Sequence, residues 1–414
     1  MNVHPFESRE QAADYLNWDR FNEQLPEIDL SEADRQRTRD AIAYFRDSFG
    51  DDFLIDAFVN GNPFVSLFLN RVPGAKLEFV SLAESLKILQ GVENFDELIA
   101  QIRDHRANGA IPVLQTAARF LRCGLQVSLE PTVSVNTPKG MREKKPDIRV
   151  SNPETGELIF VEVSRLRKGD DQKKSSRAFL AIWQLVHSVM DMVPGAFDDI
   201  TNVKFMPIYV RILGVLEEDE LQNVLMQIRE LAQEVLATGE HRKREIEGMV
   251  EMAISPPHDH SYAKEWAEAR NMKNFVESPV LMLDEVHRAQ GKIFDKMRQL
   301  PGDQPGIVVI TTDENLLFPF YPLDDIIEGV VEKTSRYPHV FGVALTYASL
   351  SGKVEPLVAG IGEHIYARHT SEALCTHHTL VIRNPTCMHA VSQSTRLRLV
   401  RAFSENETGP QFNS

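Results

Sequence analysis

The sequence predicts an α/β protein: a mixed sheet flanked by helices, preceded by a helical region and followed by a strand-rich tail. Three observations carry this. From residue 111 onward, β-prone runs alternate with amphipathic helical runs, the order expected of strands joined by crossover helices. Residues 306–311 and 340–347 are continuous apolar runs, the pattern of strands buried on both faces. Residues 145–164 read as strand, turn, strand, with the turn residues Asn152, Pro153, Thr155 and Gly156 in the middle. The expected divisions are a helical region over 1–105, an α/β domain over 106–348 and a strand-and-loop region over 349–414.

The chain has 414 residues, enough for a large core and more than one domain. Its 43% hydrophobic and 25% charged residues are those of a water-exposed globular protein. No apolar run approaches a membrane span, and the N-terminus has neither a basic nor an apolar signal segment. Three cysteines in a chain of this size suit a reducing compartment, so a cytoplasmic location is expected. The net charge of -15 argues against a general nucleic-acid binder. Its distribution qualifies that argument. Residues 139–177 hold eleven Lys/Arg against seven Asp/Glu, an excess of four, so the remainder carries -19. The basic excess surrounds the 145–164 hairpin; a solvated loop is the plainer reading of it.

Taken in order, Ser31 opens a helix continued by Ala41, Ile42 and Phe45, and residues 64–69, 79–90 and 95–102 are further helical pieces. Residues 111–123 form a helix stopped by Gly124, and a strand follows over 125–129. After the hairpin, residues 170–192 are a long helix with an apolar stripe of Phe179, Ile182, Trp183, Val186 and Met190. Lys173, Arg177 and Gln184 share another face of it, because spacings of four and seven residues stack on a helix. Gln184 falls inside the apolar block, so its amide is expected to have a definite partner or else to face solvent. A strand over 203–213, a helix over 217–238, a weaker strand over 246–254, and helices over 285–300 and 323–332 complete the alternation.

The chemistry concentrates in the hairpin. Strand side chains alternate faces, so Leu158, Phe160, Glu162 and Ser164 point one way and Ile159, Val161 and Val163 the other. Glu162 therefore sits among apolar neighbours, where an unpaired charge is costly. A metal ion, or a partner near Asp147 across the hairpin, would compensate it. Two close carboxylates raise each other's pKa unless a cation lies between them. Such a pair can hold Mg²⁺ or Mn²⁺ for phosphodiester hydrolysis, which needs an activated water and neutralised phosphate charge. The alternative is a structural salt bridge from Arg149, Arg165 or Arg167.

Pro146-Asp147 followed by Glu162-Val163-Ser164 resembles the core motif of the PD-(D/E)XK nuclease superfamily, whose members share a restriction-endonuclease-like fold. The resemblance spans roughly residues 110–345, including the helix with Gln184, the segment Met297-Arg298-Gln299-Leu300-Pro301 and the strand at 306–311. It implies that Asp147 and Glu162 bind Mg²⁺ (or Mn²⁺), with the Val163 carbonyl as a further ligand. It also implies a lysine two positions after the glutamate, where this chain has Ser164. Lys168 or Lys173 could replace it, with Ser164 hydrogen-bonding a water or the phosphate and Arg177 and Gln184 contacting the phosphate backbone. An acidic residue that often opens the preceding helix is also missing; Gln115 stands near its place, and Glu130 could substitute at the strand end. The expected activity is hydrolysis of DNA or RNA. The alternative is an inactive copy of the fold that binds nucleic acid or a protein partner, with the N-terminal helices available for a partner or a homo-oligomer.

The tail collects His364, His369, Cys375, His377, His378, Cys387 and His389. Two Cys-x-His pairs lie among them, but the usual Cys-x-x-Cys spacing of a zinc knuckle is absent. His258 and His260, in a Pro-rich turn, are read as solvated loop.

Overall fold

The computed structural model describes residues 16–404 except 26–27, 29, 61, 63, 70–72, 105–106, 138–139, 167–168, 191–204, 258, 279–284, 313–321, 351–356, 362 and 371–374. The N-terminal part is helical as its periodicity requires: α1 (Trp18–Gln24), α2 (Glu32–Phe49), α3 (Phe53–Val59), α4 (Phe64–Leu69), α5 (Pro73–Leu89) and α6 (Phe95–Arg103). Ser31 caps α2 by accepting the Asp34 amide at 3.1 Å, which satisfies one of the orphan donors of a helix start. Phe45 packs against Phe64 and Phe79 with ring centres 4.9 and 4.7 Å apart, tying α2, α4 and α5 together.

Next come α7 (Ala107–Arg122), β1 (Gln126–Leu129), β2 (Val133–Thr137), β3 (Gly140–Lys144), β4 (Ile148–Ser151) and β5 (Leu158–Leu166). A second group follows: α8 (Asp170–Met190), β6 (Ile208–Ile212), α9 (Glu218–Thr238), β7 (Arg242–Ile246), β8 (Val250–Ile254), α10 (Ser261–Glu268) and β9 (Val276–Glu277). The last elements are α11 (Glu285–Met297), β10 (Gly306–Thr312), α12 (Leu323–Thr334), β11 (Val340–Leu350), β12 (Leu357–Ile361), β13 (His364–Thr370), β14 (Cys375–Arg383) and α13 (Gln393–Ser404).

The chain divides into two compact units, Met1–Arg167 with Asp284–Ser414, and Lys168–Leu283. In the first unit an eight-stranded mixed sheet runs β1-β4-β5-β10-β11-β14-β13-β12. Strands β5, β10 and β11 are mutually parallel at its centre, and antiparallel pairs flank them. One face is covered by the N-terminal helices, α7 and α13: Ile159, Val161, Val163, Ile307 and Val309 share a core with Phe120, Leu114 and Phe403. The N-terminal helices thus share one core with the eight-stranded sheet. On the other face α11 and α12 pack Ile293, Met297, Ile326 and Val330 against Phe160, Val308, Ile310 and Val343. The β12–β14 segment, expected as a strand-and-loop region, extends the sheet beyond β11.

The second unit has a separate four-stranded sheet, β7-β8-β6-β9, with α8 and α9 supplying its core. One continuous sheet through residues 203–254 is therefore not formed: β6 pairs with β8 and β9 instead of with β5 or β10. The buried stripe of α8 is Ala178, Ile182, Leu185, Val186 and Val189, rotated from the expected one, and Trp183 is 42% exposed.

Helix α13 is locked onto the β4–β5 turn. Glu157 accepts hydrogen bonds from the Ser392 amide (2.7 Å), the Ser392 hydroxyl (2.6 Å), the Thr395 hydroxyl and the Thr155 hydroxyl (3.0 Å). Burial pushes this carboxyl upward, and the hydroxyl and amide donors outweigh it, holding its pKa down at about 2. A depressed carboxylate stabilises the fold above its unfolded pKa and loses that contribution as pH falls through the folded value. Glu157→Ala is therefore expected to destabilise the protein by about 2 kcal/mol at neutral pH, the worth of charge-assisted hydrogen bonds at a helix start. The difference from wild type should shrink as pH falls from about 4.5 towards 2 in denaturant titrations. A difference that stays constant over that range would show that the carboxylate is not the contributing group.

Candidate active site

The hairpin register builds the site. Ile148 pairs with Val161, so Asp147, one residue earlier, lies opposite Glu162. Directly opposed residues of an antiparallel pair share a face, so both carboxylates face the α11 side of the sheet. Strand β4 begins only at Ile148, so its ladder does not reach the Val163 amide, which donates instead to Asp147 Oδ2 at 2.7 Å. That bond fixes the aspartate at the end of the hairpin.

The cation facing this pair comes from another element. Lys296, in the last turn of α11, donates from Nζ to Glu162 Oε2 at 2.8 Å and to Asp147 Oδ2 at 3.2 Å. These two legs limit the separation of the carboxylate oxygens to their sum, 6.0 Å. Gln299 Oε1 accepts a third bond from Lys296 at 3.2 Å. Of the expected arginine partners, Arg149 donates to Ser128 at 2.8 Å and pairs with Glu93 at 3.6 Å, and Arg167 lies outside the described residues.

The Glu162 side chain is 1% exposed, against 17% for Lys296 and 22% for Asp147. Burial, followed by the Asp147 charge, pushes Glu162 up to about 8, with the Lys296 ammonium pulling the other way. Burial works against the Lys296 ammonium, yet the two carboxylates overcome it and raise its pKa. At neutral pH the arrangement therefore favours a protonated Glu162 beside a charged Lys296. Glu162 Oε1 is buried and has no hydrogen-bond partner among the described residues. A buried acceptor left unpaired is a costly feature that a ligand could relieve.

Comparisons with protein-family models, with curated proteins and with solved structures found no match. None of them ties the chain to the PD-(D/E)XK superfamily. The site stands on its own geometry.

Of the expected site residues, Asp147, Glu162, Val163 and Ser164 are together on the hairpin. Ser164 is partly exposed, on the Glu162 face, and among the described residues its hydroxyl has no hydrogen-bond partner. Glu130 is close in backbone terms, since its amide donates to the Asp147 carbonyl at 2.9 Å. Its carboxylate accepts from Gln101 at 3.0 Å, and its φ of 40° is unusual for a side-chain-bearing residue. Lys173, Arg177 and Gln184 belong to the second unit. There Lys173 pairs with Asp170 at 3.0 Å and Arg177 with Glu218 at 2.6 Å. Gln184 is exposed and without a hydrogen-bond partner among the described residues, so the solvent-facing alternative is the one found. Lys168 lies outside the described residues.

Lys296 is the residue that sequence reasoning missed. A signal was present. Ala289, Ile293, Met297 and Leu300 form the buried stripe of α11 and its continuation, and Lys296 sits seven residues after Ala289 and three after Ile293. A lysine on the apolar stripe of a helix needs an acidic partner.

Among the described residues no group of three or more His, Cys, Asp or Glu side chains could hold a metal ion. In the tail, the His364 ring accepts the Arg383 amide at 3.2 Å and the His378 ring meets the Tyr366 hydroxyl at 2.7 Å. The side chains of His369, Cys375 and His377 lie outside the described residues, as does His258. A nucleophile-like trio among the described residues of the second unit has His241 3.2 Å from both the Ser255 hydroxyl and Asp259 Oδ2. Ser255 is 0% exposed and accepts the Ala263 amide at 2.9 Å, so it braces α10 and is closed to a substrate.

Proposed function

We propose that the chain is a metal-dependent phosphodiesterase of the PD-(D/E)XK type, with a restriction-endonuclease-like arrangement, hydrolysing DNA or RNA. The observation that supports this most is the convergence of Asp147, Glu162 and Lys296. The ammonium that the motif lacks at Ser164 is supplied at the same carboxylates from α11. Lys296 is better placed for that role than Lys173, which Asp170 engages.

The residues fit a hard divalent cation. Mg²⁺ is commonly held by only one or two carboxylates, and here two lie within 6.0 Å of each other, the sum of their distances to Nζ. The unpartnered Glu162 Oε1 offers lone pairs to it. When bound, Mg²⁺ would lower the pKa of water and offset the phosphate charge. Asp147, Glu162 and the Val163 carbonyl would hold the ion. Lys296 would orient water and stabilise the negative charge that grows on the phosphate. The Ser164 hydroxyl would donate to the phosphate.

Cation binding requires both carboxylates ionised, so it must displace the proton that Glu162 keeps up to about pH 8. Mg²⁺ or Mn²⁺ affinity is therefore expected to rise with pH through 7 and level off above about 8, with proton release detectable by calorimetry in buffers of different ionisation enthalpy. Plasmid DNA, single-stranded DNA and RNA incubated with either metal should show cleavage by wild type and none by Glu162→Ala. Absence of cutting on all of them with both metals would sink the hydrolytic reading.

One observation favours an inactive binding module instead: Lys296 already neutralises the pair without a metal. That form would bind nucleic acid with unchanged affinity in EDTA and take up no divalent ion in calorimetry.

A further inference from the structure

Strands β2 and β3 form a two-stranded ribbon outside the eight-stranded sheet, ending three residues before Asp147. Its register pairs Val133 with Lys144 and Val135 with Arg142, so these four residues share one face. That face is turned to the C-terminal end of α11. Lys144 Nζ donates to the carbonyls of Arg298 and Leu300 at 3.0 and 2.5 Å, and Val135 is 5% exposed. These bonds pin the ribbon to the turn that ends the helix carrying Lys296.

Arg142 lies on this same face. It is exposed and has no ion-pair or hydrogen-bond partner among the described residues. Lys145, two positions before Asp147, is likewise exposed and unpaired among them. On the opposite face Met141 is 72% exposed. Residues 140–145 hold three basic groups and one acidic group in a chain whose net charge is -15.

We propose that this ribbon is a DNA-gripping arm: it enters the major groove of duplex DNA, with Arg142 and Lys145 on backbone phosphates beside the site. The inference rests on the phosphodiesterase reading for its place in the function, but its own support is separate. Each strand has five residues, so the ribbon is about 17 Å long and one strand spacing wide. A B-form major groove, about 12 Å across, admits a two-stranded β-ribbon. The A-form major groove of duplex RNA is too deep and narrow for one, which selects DNA. Exposed, unpaired cations supply the counter-charge, and Met141 offers an apolar contact to base edges.

The test is fluorescence anisotropy of the full chain in EDTA, so that no strand is cut, with a short labelled DNA duplex and the RNA duplex of the same sequence. Wild type should bind the DNA duplex more tightly than the RNA duplex. The double substitution Arg142→Ala with Lys145→Ala should weaken DNA binding about tenfold and flatten the slope of log affinity against log salt by about two, near 0.9 for each lost contact. Its thermal midpoint should match wild type, because both side chains are exposed. Unchanged DNA affinity and slope in the double variant overturn the arm, as does failure of wild type to bind any duplex. Equal, arm-dependent binding of both duplexes overturns groove entry. Arm-dependent DNA binding without cleavage in any metal supports the arm and overturns the hydrolytic reading alone.

Discussion

Lys296→Met is expected to lower the thermal midpoint in EDTA and, on the proposed phosphodiesterase reading, to slow Mg²⁺-dependent cleavage by roughly 10²–10³-fold, the usual effect of removing one preorganised charge stabiliser. The stability effect follows from burial. Lys296 is the cation between two carboxylates, one of them 1% exposed. Taking away one partner of a buried ionic cluster costs about 3–5 kcal/mol, because what is left of the cluster has no counter-charge. A divalent ion held by Asp147 and Glu162 would restore positive charge at that place. Mn²⁺ should therefore recover much of the lost midpoint in Lys296→Met while leaving cleavage slow. Lys296→Arg separates charge from shape: it should keep the stability and lose rate, since a planar guanidinium does not reproduce a compact ammonium. A Lys296→Met protein as stable as wild type in EDTA would mean that the triad is loosely held in solution. Unimpaired cleavage by that variant would remove Lys296 from the chemistry.

Glu162→Gln is expected to stabilise the first unit above pH 7 and to abolish cleavage. The sign follows from the raised pKa. Below about 4.5 the native and unfolded states both hold the Glu162 proton, and the residue contributes nothing to the pH dependence. Between that value and about 8 the unfolded chain releases the proton and the native site keeps it, so wild-type stability falls as pH rises. Above about 8 both states are ionised and the full penalty is present. At about 1.36 kcal/mol per pKa unit the upper limit is about 5 kcal/mol, shared with Asp147 and Lys296 through their coupling. Gln keeps the shape and the bond to Lys296 without ionising. Hydrogen exchange of the β4 and β5 amides, measured from pH 5 to 9 with allowance for intrinsic rates, should show the variant gaining on wild type and levelling above 8. Parallel pH curves for the two proteins would contradict a raised Glu162.

The period-two alternation of residues 158–164 places Glu162 with Phe160 on one face and Val161 and Val163 on the other, and the structure divides them the same way between two cores. The turn residues from Asn152 to Gly156 indicate the hairpin, and the hairpin brings Asp147 opposite Glu162. These are local consequences of strand geometry, which a single segment encodes. Two long-range features are not legible in the same way. An apolar alternation such as Ile208, Val210 and Ile212 announces a strand but not its neighbour, so residues 203–254 read as part of one sheet and form another. Helix α13 falls in a region that reads as strand and loop, because its defining contact, Glu157 with Ser392 and Thr395, spans more than 230 residues.

The site itself shows the same division. Local alternation dictates that an acidic pair lies on a buried face and requires a cation. Which cation it is was decided only by packing: the Ala289–Ile293–Met297 stripe seats α11 against the sheet, and that docking carries Lys296 to a carboxylate 134 positions away. A residue's own periodicity records that it is buried, not what it is buried against.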